Sequence, residues 1–209
     1  MCSSDLANLT LIPRNDADAV LAFDTGPGNM VIDGIAAIAG RTQDKDGEGA
    51  RRGTVDSQTL SEFLAHPYFA RRAPKSTGRE EFGAAFVRRI AELVARRGGT
   101  SDDALATATE LTAQTIAGGL RRETVSAITR VLVAGGGTRN PALMEPLRDA
   151  LAPDIGRIET TDAYGVPAAY REAIAFAILG AYRLRGLPNT LARATGASRA
   201  VSGGALHLP

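Results

Sequence analysis

Phe23-Asp24-Thr25-Gly26-Pro27-Gly28-Asn29 joins an apolar run to an amphipathic one. Ahead of it, Ala19-Val20-Leu21-Ala22-Phe23 has strand character. Behind it, Asn29-Met30-Val31-Ile32-Asp33-Gly34-Ile35 opens a helix, with Asn29 as the expected N-cap. A carboxylate followed by two glycines and a proline suits a tight loop whose backbone comes close to a ligand. In α/β enzymes a strand end facing a helix N-terminus commonly holds a general base or a metal-bridging carboxylate. The same residues also make an ordinary βα turn, so the stretch alone leaves both readings open.

Working outward, Leu6 to Pro13 and Ala19 to Phe23 form a hairpin-like pair across Arg14-Asn15-Asp16-Ala17-Asp18. The pattern predicts a helix from Asn29 to about Ala39, then a charged, glycine-broken loop from Gly40 to Gly53. A short helix over Ser57 to Ala65 stops before His66-Pro67-Tyr68-Phe69, because the residue preceding a proline is pushed out of the α region. Ala73 to Glu80 is irregular; beyond it Phe82, Phe86, Ile90, Leu93 and Val94 share one helical face. Ser101-Asp102-Asp103 caps another helix, with Leu105, Ala108, Leu111, Thr112, Thr115 and Ile116 on its buried side and Gly118-Gly119 at its weakening end. Arg130 to Ala134 reads as a buried strand, and Asn140-Pro141 opens a helix to Leu151. Arg157 to Thr160 is a short strand and Ala168 to Leu184 a long helix; the tail from Gly186 is weakly patterned. This alternation points to a mixed or parallel sheet flanked by helices.

Composition bounds the function. A chain of 209 residues with 44% hydrophobic content buries a real core, and a net charge of +1 leaves no electrostatic footprint for nucleic acid or an anionic membrane. The single Cys2 excludes an intramolecular disulfide and a cysteine metal cluster. His66 and His207 are far apart, so a histidine metal site or a Ser-His-Asp triad has little support. No stretch approaches the roughly 20 apolar residues that span a bilayer, and Met1 to Leu6 has neither region of a signal peptide. A cytoplasmic setting is the expectation. Lysine occurs only at Lys45 and Lys75, and the paired arginines (Arg51-Arg52, Arg71-Arg72, Arg88-Arg89, Arg96-Arg97, Arg121-Arg122) read as solvated faces.

Gly135-Gly136-Gly137 is the second chemical element. Three residues without Cβ between a strand and a helix let a base or a phosphate lie against the backbone. The dinucleotide fingerprint does not fit, since its sixth position is Asn140; a plain tight turn is the other reading. Lys75-Ser76-Thr77-Gly78 is not a P-loop, which needs Gly where Pro74 stands. It remains a loop of Lys75, Arg79 and Glu80, suited either to an anionic or hydroxyl-rich group or to an interdomain contact. Glu172 follows Arg171 in the last long helix, where it either pairs with arginine or turns into a cleft.

In order along the chain, several segments resemble one family. They are Phe-Asp-Thr-Gly-Pro-Gly-Asn at 23–29, Pro67-Tyr68-Phe69 with Pro74-Lys75-Ser76-Thr77-Gly78-Arg79-Glu80 and Phe82, and Leu111-Thr112-Ala113-Gln114-Thr115-Ile116-Ala117. Gly135-Gly136-Gly137 with Asn140-Pro141 and Leu143-Met144, Glu172-Ala173 with Phe176-Ala177, and Thr195-Gly196-Ala197 complete the set. The ordered set is similar to anhydro-N-acetylmuramic acid kinase. The resemblance implies an α/β fold, a ribonuclease-H-like domain of the sugar kinase/Hsp70/actin-like ATPase superfamily with a mixed sheet flanked by helices. It implies a two-part reaction: water opens the 1,6-anhydro ring, and the freed 6-oxygen takes the γ-phosphoryl of ATP, giving N-acetylmuramic acid 6-phosphate in peptidoglycan recycling.

The residue roles come from the same resemblance. Asp24 falls at the family's general-base position, and Gly135, Gly136, Gly137 and Asn140 at its adenosine motif. Glu172, Asn29 and Lys75 are expected on the sugar side. ATP and Mg²⁺ are the expected cofactors, with no metal-ligating residue assigned; amino sugar and ATP are the expected partners, with no nucleic acid or membrane and a homodimer as one arrangement. The family's second phosphate motif should end at Ala7-Asn8, yet Met-Cys-Ser-Ser-Asp-Leu precedes Ala7. The expected division is therefore residues 1–6 as unrelated sequence, 7–185 as the second ATPase-like domain, and 186–209 as a tail returning to a first domain that is mostly missing. This fragment is expected to be inactive alone. The competing expectations are a related sugar kinase of other specificity and a non-catalytic nucleotide- or sugar-binding module.

Overall fold

The computed structural model describes residues 6–14, 16, 19–123, 128–152 and 155–207. Residues 1–5, the larger part of the expected unrelated N-terminal segment, and Asn15, Ala17 and Asp18 of the expected turn lie outside the described residues.

The architecture is α/β, with small sheets flanked by helices. Strands β1 (Leu6–Leu11) and β2 (Leu21–Pro27) pair antiparallel, with Leu11 opposite Leu21 and Leu6 opposite Pro27. The register shifts between Ala7 and Asn8: Asn8 faces Asp24 while Ala7 faces Gly26, leaving Thr25 as an extra residue in β2. Such a bulge bends its strand and re-aims the neighbouring side chain. The Thr25 hydroxyl donates to the Ala7 carbonyl at 3.1 Å, which secures it. Strand β2 thus continues through Pro27, so the loop expected after Phe23 is largely extended strand.

Helix α1 (Asn29–Ile38) follows at once. Its N-cap is Gly28, without a side-chain capping bond, so Asn29 stands inside the first turn rather than at the cap. The expected loop at 40–53 contains a 3-10 turn (Lys45–Gly47) and helix α2 (Glu48–Arg52). The buried Asp44 carboxylate creates that helix, accepting from the Gly49 and Ala50 amides at 2.7 and 3.0 Å. Helix α3 (Ser57–Leu64), capped by Asp56, leads to α4 (Pro67–Ala70), where the His66 ring caps a short helix not anticipated from sequence. Helices α5 (Arg79–Phe82) and α6 (Ala84–Arg96) break at Gly83, and α6 buries Phe86, Val87, Ile90 and Val94 as its spacing requires.

Helix α7 (Ser101–Glu123) is the axis of the molecule. It does not weaken at Gly118-Gly119. A Cβ on Gly119 would lie 3.0 Å from the Thr25 side chain and 3.4 Å from Phe23, so this glycine lets the helix approach β2 closely. One apolar cluster gathers α1, α3, α4, α5, α6 and the first half of α7 around Ile32, Ile35, Phe63, Phe82, Ile90, Leu105 and Leu111. A second gathers Ala113, Ala117 and Leu120 of α7 with Leu143, Met144, Leu147 and Leu151 of helix α8 (Pro141–Leu151), and with Leu9 and Leu11 of β1.

Strands β3 (Val131–Val133) and β4 (Ile158–Thr160) form a separate parallel pair. The expected single mixed sheet is thus two two-stranded sheets among the described residues, one antiparallel and one parallel. Strand β3 is not fully buried either: Val131 and Val133 are half-buried and Leu132 is exposed. The long final helix begins later than expected, as α9 (Arg171–Leu184) after a 3-10 turn over Ala168–Tyr170, and none of its residues is buried. A last helix, α10 (Ala192–Thr195), packs on β2. All ten paired arginines are exposed. No helix among the described residues is long and apolar enough to cross a membrane.

Candidate active site

Asp24 is held on four sides. Its amide donates to the Lys75 carbonyl at 3.1 Å, and its carbonyl accepts from the Tyr68 hydroxyl at 2.8 Å. Its Oδ2 accepts from the Ser76 hydroxyl at 2.9 Å and from the Thr77 amide at 3.0 Å. None of these bonds uses Oδ1. Phe23 and Thr25, its neighbours in β2, are buried against α7, and the two-residue period of a strand points Asp24 to the opposite side, toward the 75–77 loop. Burial, with the charge of Asp24 adding, pushes the Tyr68 hydroxyl well above the ordinary phenol range, so it remains a donor.

Lys75 is 7% exposed. Its ammonium donates to the Tyr68 carbonyl at 3.1 Å and lies 4.4 Å over the Tyr68 ring. Burial, then the charges of Arg122 and Arg71, holds its pKa below the usual lysine range. Gly26, two residues beyond Asp24, has φ of +146°, and a Cβ there would stand 2.5 Å from Phe69 Cε1. Short helix α4 therefore presses Tyr68 and Phe69 onto this part of β2.

The glycine turn lies beside the first residue of α1, Asn29. Gly135 adopts φ of +97° and donates from its amide to the Ala168 carbonyl at 3.1 Å. Gly136 to Arg139 form a 3-10 turn, closed by Thr138 Oγ1 donating to the Gly135 carbonyl at 2.7 Å. Asn140 caps α8, accepting from the Leu143 amide at 3.3 Å, with Pro141 at the first helical position as the sequence requires. The structure brings Asn29 to this turn: a Cβ on Gly136 would lie 3.5 Å from its amide nitrogen, and one on Gly137 would lie 3.7 Å from its amide oxygen. Asn29 thus links the Asp24 strand to the glycine turn, in place of capping α1.

Glu172 is exposed, in the first turn of α9, 3.9 Å from Arg171. Its connection to the glycine turn runs through the Ala168–Tyr170 lead-in, held by the Gly135–Ala168 bond. A surface hollow of about 440 Å³ between α7 and α8, lined by Glu110, Gln114, Arg121, Pro146, Asp149 and Ala150, contains none of the residues expected to act. Among the described residues no group of three or more His, Cys, Asp or Glu side chains could hold a metal by itself.

Tyr68, Ser76 and Thr77 received no role from sequence, although each touches Asp24 or its backbone. The signal was present in part: a rare lysine next to hydroxyl residues marked the loop, while its apposition to β2 needed the tertiary fold.

The site thus joins a carboxylate fixed through one oxygen inside a bulged strand to a glycine turn reached by Asn29 of the next helix, all within an α/β fold. A family model described as anhydro-N-acetylmuramic acid kinase matches residues 4–209, and the chain belongs to that family. It is 41% identical over 210 residues to an anhydro-N-acetylmuramic acid kinase of Salinibacter ruber, covering 98% of this chain and 52% of that protein. It is 42% identical over 204 residues to one of Gloeobacter violaceus, covering 97% and 53%. A Streptomyces coelicolor relative of the same name is 40% identical over 204 residues, covering 93% and 48%. The chain spans about half the length of these curated relatives.

Proposed function

We propose that these residues belong to an ATP-dependent kinase that opens 1,6-anhydro-N-acetylmuramic acid with water and phosphorylates its O6, and that Asp24 is the general base. Family membership supports the reaction class. The observation that carries the assignment is that, among the described residues, the bonds to the Asp24 carboxylate fall on Oδ2. Water becomes an effective nucleophile when a positioned carboxylate accepts its proton, and Oδ1 is the oxygen left to do so. In this reading water attacks the anomeric carbon, the bond from that carbon to O6 breaks, and O6 receives the γ-phosphoryl of ATP. The product belongs to peptidoglycan recycling, and a cytoplasmic enzyme with amino sugar and ATP as its partners follows from the same reading.

Gly135, Gly136 and Gly137 are assigned to the nucleotide: Gly136 and Gly137 carry no side chain toward Asn29, Gly135 turns the chain at a positive φ, and Asn140 fixes α8 behind them. Mg²⁺ is the cation of this reading, and it is usually bound through one or two carboxylates together with substrate phosphates. Bound there, ATP and its cation would supply the phosphoryl group and neutralise charge on it. Asn29 and Glu172 are assigned to the sugar side. The fold reading is a ribonuclease-H-like domain of the actin-like ATPase superfamily over residues 7–185, with 186–209 as a returning tail and a homodimer as one assembly.

Coupled ADP release with the anhydro sugar tests the proposal. The 209-residue chain alone is expected to show no turnover, and robust turnover would overturn its reading as an inactive fragment. ADP binding without turnover in a family-length protein would favour a binding module. In such a protein, Asp24→Asn is expected to lower ring opening by about 10²- to 10⁴-fold. ATP affinity should stay nearly unchanged; its loss would mean that Asp24 serves the nucleotide instead.

A further inference from the structure

Lys75 combines two properties that a sugar ligand would not need. It is almost completely buried, and its ammonium is spent on Tyr68, through the backbone carbonyl and the ring face. A buried cation is costly unless its donors are satisfied, and among the described residues no ion pair takes up this charge. A lysine buried at that cost points to a task in the protein interior.

The contacts form a closed circuit. Lys75 Nζ holds Tyr68, the Tyr68 hydroxyl holds the Asp24 carbonyl, and the Asp24 amide returns to the Lys75 carbonyl. The next two residues, Ser76 and Thr77, close on Asp24 Oδ2. We infer that Lys75 is a positioning residue that acts through Tyr68 and its own backbone to aim Asp24, with Ser76 and Thr77 locking one carboxylate oxygen. The inference rests on the reading of Asp24 as the base. Orientation of this kind matters because a displacement of about 1 Å in a reacting group costs on the order of 100-fold in rate.

Lys75→Met keeps the aliphatic stem and removes the charge. The Tyr68 carbonyl retains its bond from the Arg71 amide at 3.1 Å, so the variant leaves no orphaned acceptor and is expected to fold. Tyr68→Phe removes only the hydroxyl that reaches Asp24. In a family-length protein containing these residues, each variant should lower kcat for the anhydro sugar about 10- to 100-fold while the sugar KM stays within about threefold. A KM raised about tenfold with kcat preserved would make Lys75 a sugar ligand and overturn the inference.

A second measurement is independent of turnover. In the 209-residue chain, Lys75→Met should speed hydrogen exchange at the Thr77 amide about tenfold or more, with the Gly49 amide, held by Asp44, unchanged. An unchanged Thr77 amide would overturn the inference even if the enzyme proves to be the kinase. Failure of the unmodified family-length protein to turn over the sugar would instead reject the kinase reading, and the Thr77 amide would still decide the clamp.

Discussion

Gly26 and Gly28 determine how closely the chain folds around Asp24. Gly26 occupies a positive φ that other residues rarely adopt, and its missing Cβ leaves room for the Phe69 ring. That ring cannot swing aside freely, because it stacks on Phe82 with centroids 5.6 Å apart. At Gly28 a Cβ would meet the Leu6 carbonyl carbon at 2.8 Å, a backbone neighbour with nowhere to go. Gly26→Ala is therefore expected to destabilise the chain by about 1–3 kcal/mol in urea unfolding, through overpacking and a strained φ. The need for glycine at these positions was readable from the sequence. Its cause was not, because Phe69 reaches Gly26 only after α4 has formed and docked.

Among the elements, α7 shows how local chemistry sets a boundary. The Thr100 amide donates to Asp103 Oδ2 at 2.7 Å while the Thr100 hydroxyl accepts from the Asp103 amide at 3.2 Å, a reciprocal cap at the start of the helix. The Thr54 amide donates to the other oxygen at 2.6 Å, tying the segment after α2 to the same carboxylate. These amides, Thr100 before Thr54, hold the Asp103 carboxyl below the usual range. Its folded pKa is thus lower than its unfolded one, so the unfolded chain takes up the proton first as pH falls. The stabilisation is complete above about pH 4 and disappears as pH drops through the folded value. Asp103→Asn should lower the urea midpoint at neutral pH and flatten its decline below about pH 4, measured as a pH series of unfolding curves.

The elements legible in the sequence were those whose cause is local: the period of α6, the Asn140-Pro141 start of α8, and the strand characters of β1 and β2. Helix α2 was missed because its capping carboxylate, Asp44, lies in a stretch with no apolar period, and α4 because a histidine ring caps it. Gly118-Gly119 misled for a related reason. A glycine pair inside a helix looks like an ending until β2 is seen pressed against it. The site divides in the same way. Asp24 and the glycine turn were visible as residues, whereas the clamp of Tyr68, Ser76 and Thr77 exists only through contacts 44 to 53 positions apart in the chain.

Across the whole molecule, stability is concentrated around α7, which contributes to both apolar clusters. Helix α9 stands apart from them. Phe176 is 72% exposed, and Ile174, Ile178, Leu179, Tyr182 and Leu184 are exposed beside it. Phe176→Ser should consequently change the unfolding free energy of the 209-residue chain by no more than about 0.5 kcal/mol, although the same replacement at a buried aromatic such as Phe82 would be severe. Binding of an apolar dye should fall in the Phe176 variant, reporting the exposed face directly.

The absence of any buried residue in α9 also decides where a protease would act first. A helix of 14 residues is marginal in water without packing, so its backbone opens far more readily than that of α7. Arg183 and Arg185 sit at its end. Brief trypsin treatment of the native chain should cut there before any bond inside α6 or α7, despite the paired arginines that α6 carries. The resistant product would retain Asp24, Lys75, the glycine turn and most of α9, and the released tail would carry α10, so the speed of the cut would report how loosely the end of α9 is held.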